Sequence, residues 1–276
     1  MQSRDHRADT APEGYEPRAC AGNLLHFSQA KCNSCPVRGN ALCGAAGPRA
    51  GAELARMGHL RRLGPDQTLF AEGEDEAVAL VRSGILRLQY TNVEGRRTIP
   101  AMVFPGEFAG RLYGAEAHCA VEAATEAEIC VYDRRALERL LRTSPELERS
   151  LMAAASDKLD RILHSTWVLM SLNVEERIAG YLLLLAALSR QPGDPADLVR
   201  LDMPRRDIAD HLGTSVETIS RVLHTMVRKG LIALEARRIV RLLDRPAMEA
   251  ATGLDAVLLD SMVPPRTLPE VSVLRA

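Results

Sequence analysis

The stretch "RRDIADHLGTSVETISRVLHTM", residues 205–226, decides what the rest of the chain is built to carry. Ile208, Ala209 and Leu212 recur at helical spacing and give a first short helix one apolar face. Gly213 follows, where a turn needs a residue that tolerates positive φ. Ser215 is placed to cap a second helix, whose inner face is expected to be Val216, Ile219, Val222 and Leu223. A small residue at Ala209, a glycine four later and Ile219 six beyond fit the packing core of a helix-turn-helix. The outer face of the second helix then carries Glu217, Ser220 and Arg221 in the half that enters a major groove. Arginine can bond guanine bidentately, glutamate can accept from the cytosine amino group, and serine can bond either kind of edge. Arg206, Ser215 and Thr218 complete the expected DNA-binding set.

Working outward, residues 204–245 hold nine Lys/Arg against five Asp/Glu, a basic patch in a chain of formal net charge -1. Such a patch can neutralise phosphates. "LIALEARRIVRLL" (231–243) reads as a strand pair, with "EARR" (235–238) as the tip of a wing beside the DNA backbone. Upstream, a helix is expected after Asn173, with Glu175 and Glu176 near its positive end, and "QPGDPAD" (191–197) breaks the chain. The DNA-binding domain is therefore drawn at 173–252, followed by a tail, 253–276, with paired prolines and no period.

Before it, Ser144 and Pro145 suit a helix start. Met152, Ala155, Leu159, Ile162, Thr166 and Leu169 then alternate steps of three and four, an a/d seam that suits a second helix of the same kind. Residues 144–172 are read as a dimerisation helix. Residues 49–143 show short alternating segments broken at Gly73, Ser83-Gly84, Glu94-Gly95 and Pro105-Gly106, the pattern of a β-barrel or jelly roll. The fold class is α+β. "GAAGPRAG" (44–51) reads as a linker or turn, and residues 1–19, charged and nearly devoid of apolar side chains, as disordered.

Residues 20–48 hold four of the six cysteines, Cys20, Cys32, Cys35 and Cys43. No apolar run reaches the ~18 residues needed to span a bilayer, and the first twenty residues lack a secretory apolar region. A cytoplasmic protein keeps its thiols reduced, so this clustering favours metal ligation over disulfides. Thiolates suit zinc or an iron–sulfur cluster, and spacing alone does not choose between them. The seven histidines are scattered and form no zincin-like pair, so no enzyme is expected.

The order of cysteine cluster, glycine-punctuated barrel, long helix and winged helix-turn-helix closely resembles the CRP/FNR superfamily of transcription regulators, from about residue 20 to residue 250. "LGTSVETISRVL" is similar to the family's recognition helix, and its Glu-x-x-Ser-Arg set falls on Glu217, Ser220 and Arg221. The resemblance implies a cytoplasmic homodimer on double-stranded DNA, with RNA polymerase as a partner. In the FNR branch it implies a palindrome of the type TTGAT-N4-ATCAA. The loop "TNVEGRRT" (91–98) resembles the family's activating surface.

The resemblance also narrows the sensor. In "PGEFAGRLYGAEAHCAVEA", Arg111 stands where the cyclic-AMP-binding glutamate would be, and His118-Cys119 where Arg-Ser would be, so cyclic AMP is not expected. The FNR branch implies an oxygen-labile 4Fe-4S cluster on three N-terminal cysteines and one barrel cysteine. Here these match Cys32, Cys35, Cys43 and Cys130, in the spacing of the FnrN/FnrL type, with Cys119 as an alternative fourth ligand. A structural zinc on the same residues is one alternative. A haem or nitric-oxide sensor of the same fold is another. Ile162 matches a position that is acidic in the enteric relative, which implies a seam that associates more readily.

Overall fold

The computed structural model describes residues 25–26, 32, 34–73, 76–113, 119–188, 195, 197–254 and 258–259. Two antiparallel sheets face one another. The first has the order β1 (Leu25–His26), β2 (His59–Leu63), β9 (Ala127–Asp133), β4 (Ala77–Ser83), β7 (Phe108–Ala109). The second has the order β3 (Thr68–Phe70), β8 (Ala120–Ala123), β5 (Leu86–Thr91), β6 (Arg97–Val103). Alternation sorts their side chains. Val81, Ile129 and Val131 point between the sheets to join Leu86, Val103 and Ala123. Val78, Leu80, Cys130 and Tyr132 point the other way and pack under helices. Strands β4 and β9 are thus buried on both faces.

The turn between β4 and β5 has no room for a side chain. Gly84 sits at φ +81, and a Cβ there would lie 2.2 Å from the Glu126 carbonyl oxygen and 2.7 Å from Ala127 Cα. Both are backbone atoms, so the strands would have to part. Gly84→Ala is expected to cost about 2–5 kcal/mol, combining left-handed strain with overpacking. A urea midpoint within error of the parent would contradict this.

Helices cover the outer face of the first sheet: α1 (Leu42–Ala45), α2 (Pro48–Met57), α3 (Arg134–Thr143) and the first turns of α4 (Pro145–Ser171). Two expectations are corrected here. The glycine-rich "GAAGPRAG" is not a linker, because Pro48 opens α2, whose Ala50 and Leu54 are buried. The stretch before Ser144 is not all barrel, because α3 intervenes, capped by the Asp133 carboxylate, which accepts from the Ala136 N–H at 2.7 Å. The Ser144 side chain makes no cap hydrogen bond. Helix α4, ~40 Å long at 1.5 Å per residue, lies on the barrel along one face. There Leu147 and Leu151 are buried, the Lys158 Nζ donates to the Phe108 carbonyl at 3.1 Å, and Arg161 pairs with Glu107.

Helix α5 (Val174–Leu188) begins with a reciprocal cap. The Asn173 side chain accepts from the N–H groups of Glu175 and Glu176, and the Glu176 carboxylate accepts from the Asn173 N–H at 2.8 Å. After it come β10 (Leu198–Arg200), α6 (Arg205–Leu212), α7 (Val216–Arg228), β11 (Ile232–Ala236), β12 (Ile239–Leu242) and α8 (Arg245–Thr252). Strand β10 pairs with β12 and makes the wing three-stranded. Three residues after a proline-rich break carried too little pattern to be read as a strand. No described helix is long and apolar enough to cross a membrane.

Candidate DNA-reading surface and thiol site

Helices α6 and α7 meet at Gly213, in the left-handed region at φ 64 and ψ 40. Ile208, Ala209 and Leu212 are buried against Ile219, Leu223 and Met226. Val216 is a correction: it is 36% exposed, because it is the first helical residue and points past the core, and Met226 takes the inner place. Ser215 caps α7, its Oγ accepting from the Thr218 N–H at 3.1 Å. Glu217, Ser220 and Arg221 are exposed together on the outer face. The Glu217 carboxyl is held below its usual range by its own backbone N–H and the Ser215 hydroxyl, so it is an ionised acceptor. The Ser220 hydroxyl donates to the Val216 carbonyl at 3.1 Å, which leaves its lone pairs outward. His224, one turn on, is exposed on the same side. Its spacing of three and four from Arg221 and Ser220 was the signal for it. Arg206 projects from α6, 76% exposed, and Arg237 and Arg238 form the exposed wing tip.

Part of this charge is shared with residues outside the segment. Arg97 of the barrel pairs with Asp207 and Asp210, and Arg87 with Asp207, so two of the five local carboxylates are neutralised from outside the segment. Lys229, Arg241 and Arg245 run the other way, each tied to a carboxylate outside the segment, so the local excess is not enlarged. Arg97 also leaves the expected activating loop, whose tip is shaped by the Asn92 side chain accepting from the Glu94 and Arg96 N–H groups.

At the other end of the molecule, the Cys35 N–H donates to the Cys32 carbonyl at 3.2 Å, a turn that sets the two thiols side by side. Cys35 and Cys43 pack against the cluster of side chains that contains buried Cys130, Tyr132, Leu147 and Leu151. Burial pushes the Cys130 thiol up to about 12 and that of Cys43 up to about 11, and the neighbouring thiols add to both shifts. Each of the four therefore lies within electrostatic reach of the others. Cys119 has a different neighbourhood, with Glu72, Lys158 and Arg111 as its charged partners. Cys20 and His118 lie outside the described residues. Among the described residues, no three His, Cys, Asp or Glu side chains converge tightly enough to ligate one metal ion.

The seam residues are also on the surface. Met152, Ala155, Leu159, Ile162 and Thr166 are exposed along α4, and Leu169 is half-buried. Leu163, Trp167 and Met170 widen the apolar stripe.

Residues 176–251 match the Crp-like helix-turn-helix domain model, and residues 60–144 match the cyclic nucleotide-binding domain model. A probable transcriptional activator from Rhizobium leguminosarum bv. viciae is 31% identical over 219 residues, covering 79% of this chain and 91% of that protein. The chain belongs to the CRP/FNR family. The transcriptional activator protein FnrL of Cereibacter sphaeroides is 29% identical over 238 residues, covering 84% of this chain and 94% of its own. The structure of FixK2 from Bradyrhizobium japonicum superposes with a TM-score of 0.64 at 27% identity, covering 70% of this chain and 96% of that one. This CRP/FNR protein is accordingly a DNA-binding transcription activator rather than an enzyme.

Proposed function

We propose that this activator senses oxygen through a 4Fe-4S cluster held by Cys32, Cys35, Cys43 and Cys130. On this reading it works as a cytoplasmic homodimer, active without oxygen at TTGAT-N4-ATCAA-like palindromes. One observation carries the proposal: Cys130 turns out of the barrel into the same packed layer as Cys35, Cys43 and the root of α4. The donor set fits. A cubane takes one thiolate per iron, and soft thiolates are the ligands such a cluster selects. Thiols grouped within mutual reach, with the barrel's Cys130 beside the three N-terminal ones, suit a shared centre. When bound, the cluster supplies an oxygen-labile tie. The chain's own residues do the rest: Leu147 and Leu151 link the thiol layer to α4, and the opposite face of α4 meets its counterpart in the dimer. Arg221 and Glu217 read base edges, Ser215 and Thr218 shape the start of the reading helix, and Arg206 and the wing hold phosphates. RNA polymerase is the partner proposed for the loop around Glu94.

Anaerobic purification tests the sensor, with iron, sulfide and zinc analysis and a visible spectrum. Iron and sulfide in about equal amounts, with absorbance that bleaches in air, are expected. Colourless protein with stoichiometric zinc would replace the sensor with a structural metal, and a haem spectrum would replace the cluster. The reading helix has its own test. Arg221→Ala is expected to weaken operator binding by about 10- to 150-fold, the worth of one bidentate base contact, with little change in the salt slope. Fluorescence anisotropy over a salt series measures both, and an unchanged affinity would remove Arg221 from base reading.

A further inference from the structure

The reading domain does not hang free from the barrel. Arg87 on β5 and Arg97 on β6 reach across to α6. The Arg87 Nη1 donates to the Asp207 Oδ2 at 2.6 Å, while its Nη2 is held within the barrel by Asp66 at 2.7 Å and Glu122 at 2.6 Å. Arg97 donates through Nε to the Asp210 Oδ2 at 2.7 Å and through Nη2 to Asp207. The Arg87 and Asp207 side chains are each only 3% exposed. One turn on, the His211 ring, which burial keeps toward its neutral form, meets the Ile99 carbonyl of β6 through Nδ1 at 2.9 Å. Barrel residues Ile99 and Met102 share one apolar core with Ile208 and Leu212.

A buried carboxylate is costly unless its partners are in place. Asp207 can stay buried only where Arg87 and Arg97 meet it, so the pairing selects one pose of α6 on the barrel. Helix α7 follows α6 rigidly, through the Gly213 turn, the Thr214 N–H bond to the Ala209 carbonyl at 3.0 Å and the shared core. In that pose Glu217, Ser220 and Arg221 remain exposed. A palindrome demands two heads a fixed distance apart, so the orientation of each head sets how well both bind at once.

We propose that Arg87 and Arg97 are positioning residues for DNA reading, clamping α6 through Asp207 and Asp210 so that the barrel dictates where its own recognition helix points. This holds whichever metal the thiols take. The test uses the full-length protein and a duplex selected from a random pool by the unaltered protein, so it does not depend on the palindrome given above. Arg97→Gln is expected to bind the selected duplex about tenfold or more weakly, yet a random-sequence duplex within about twofold, because the phosphate-binding cations are untouched. Amide hydrogen exchange should rise in α6 and β6 and not in β4 or β9. The conservative Arg97→Lys, which keeps a cation facing both Asp207 and Asp210, should lose much less than Arg97→Gln. Asp210→Asn, milder and at the edge of the cluster, should move the same readouts in the same direction even if Arg97→Gln fails to fold. Unchanged discrimination, tighter binding of the selected duplex, or an Arg97→Lys no better than Arg97→Gln would each overturn the proposal.

Discussion

Cys130→Ser is expected to yield a folded protein that holds almost no iron and does not bind its operator more tightly when oxygen is removed. The side chain keeps nearly the same volume. The backbone of β9 still pairs with β2 at Leu60 and β4 at Leu80, so the barrel has no reason to open. The buried hydroxyl costs about 1–3 kcal/mol if it finds no partner. As a ligand it fails, because iron–sulfur clusters are held by soft thiolates, which a serine hydroxyl does not supply at neutral pH. On the proposed ligand set, losing Cys130 removes the metal tie between the N-terminal thiols and the barrel, while Val37, Ala41 and Leu42 keep the segment packed against Leu147 and Leu151. Cys119→Ser is the control. Its thiol sits near Glu72, Lys158 and Arg111 rather than with the other four, so iron content should match the parent. Iron analysis and anaerobic anisotropy on both variants decide the matter. If Cys119→Ser loses iron and Cys130→Ser keeps it, the ligand set is wrong.

Ile162→Asp is expected to convert the protein to a monomer at micromolar concentration, with or without oxygen. Ile162 lies at the middle of the exposed stripe on α4, between Leu159 on one side and Leu163, Thr166 and Trp167 on the other. In a symmetric seam the change acts twice. Losing burial of two isoleucine side chains removes about 3–6 kcal/mol, which is a ~100- to 10,000-fold weaker dimer before like-charge repulsion is counted. The fold of each chain should survive, because the opposite face of α4 keeps Leu147, Leu151 and the Arg161–Glu107 pair on the barrel. Operator affinity should fall with dimerisation, since one head alone contacts half a palindrome. Sedimentation at several concentrations reads the result. A variant that stays dimeric would move the seam elsewhere.

Some of this was legible because the pattern was local. Ala209, Gly213 and Ile219 stand within eleven residues of one another, and their packing follows from helical period and a single left-handed turn. Turns at Gly73, Gly84, Gly95 and Gly106 were legible for the same reason, since a backbone that needs positive φ at a hairpin asks for glycine wherever it occurs. Helix α3 and strand β10 were not: one was absorbed into the barrel by the apolar strand before it, and the other is three residues long.

The chain's sequence by itself determined a reading helix with Glu217, Ser220 and Arg221 on one face, an apolar stripe on a long helix, and a barrel between that helix and a cysteine-rich segment. Each rests on periodicity or on turn chemistry, which act over a few residues. Only the tertiary structure decided that Cys130, and not Cys119, joins the N-terminal thiols, because that depends on which face of β9 looks outward and what packs there. Only it decided that Asp207 and Asp210 belong electrically to Arg87 and Arg97, more than a hundred residues away. Pairing of that kind is set by how two domains dock, and no local pattern encodes it.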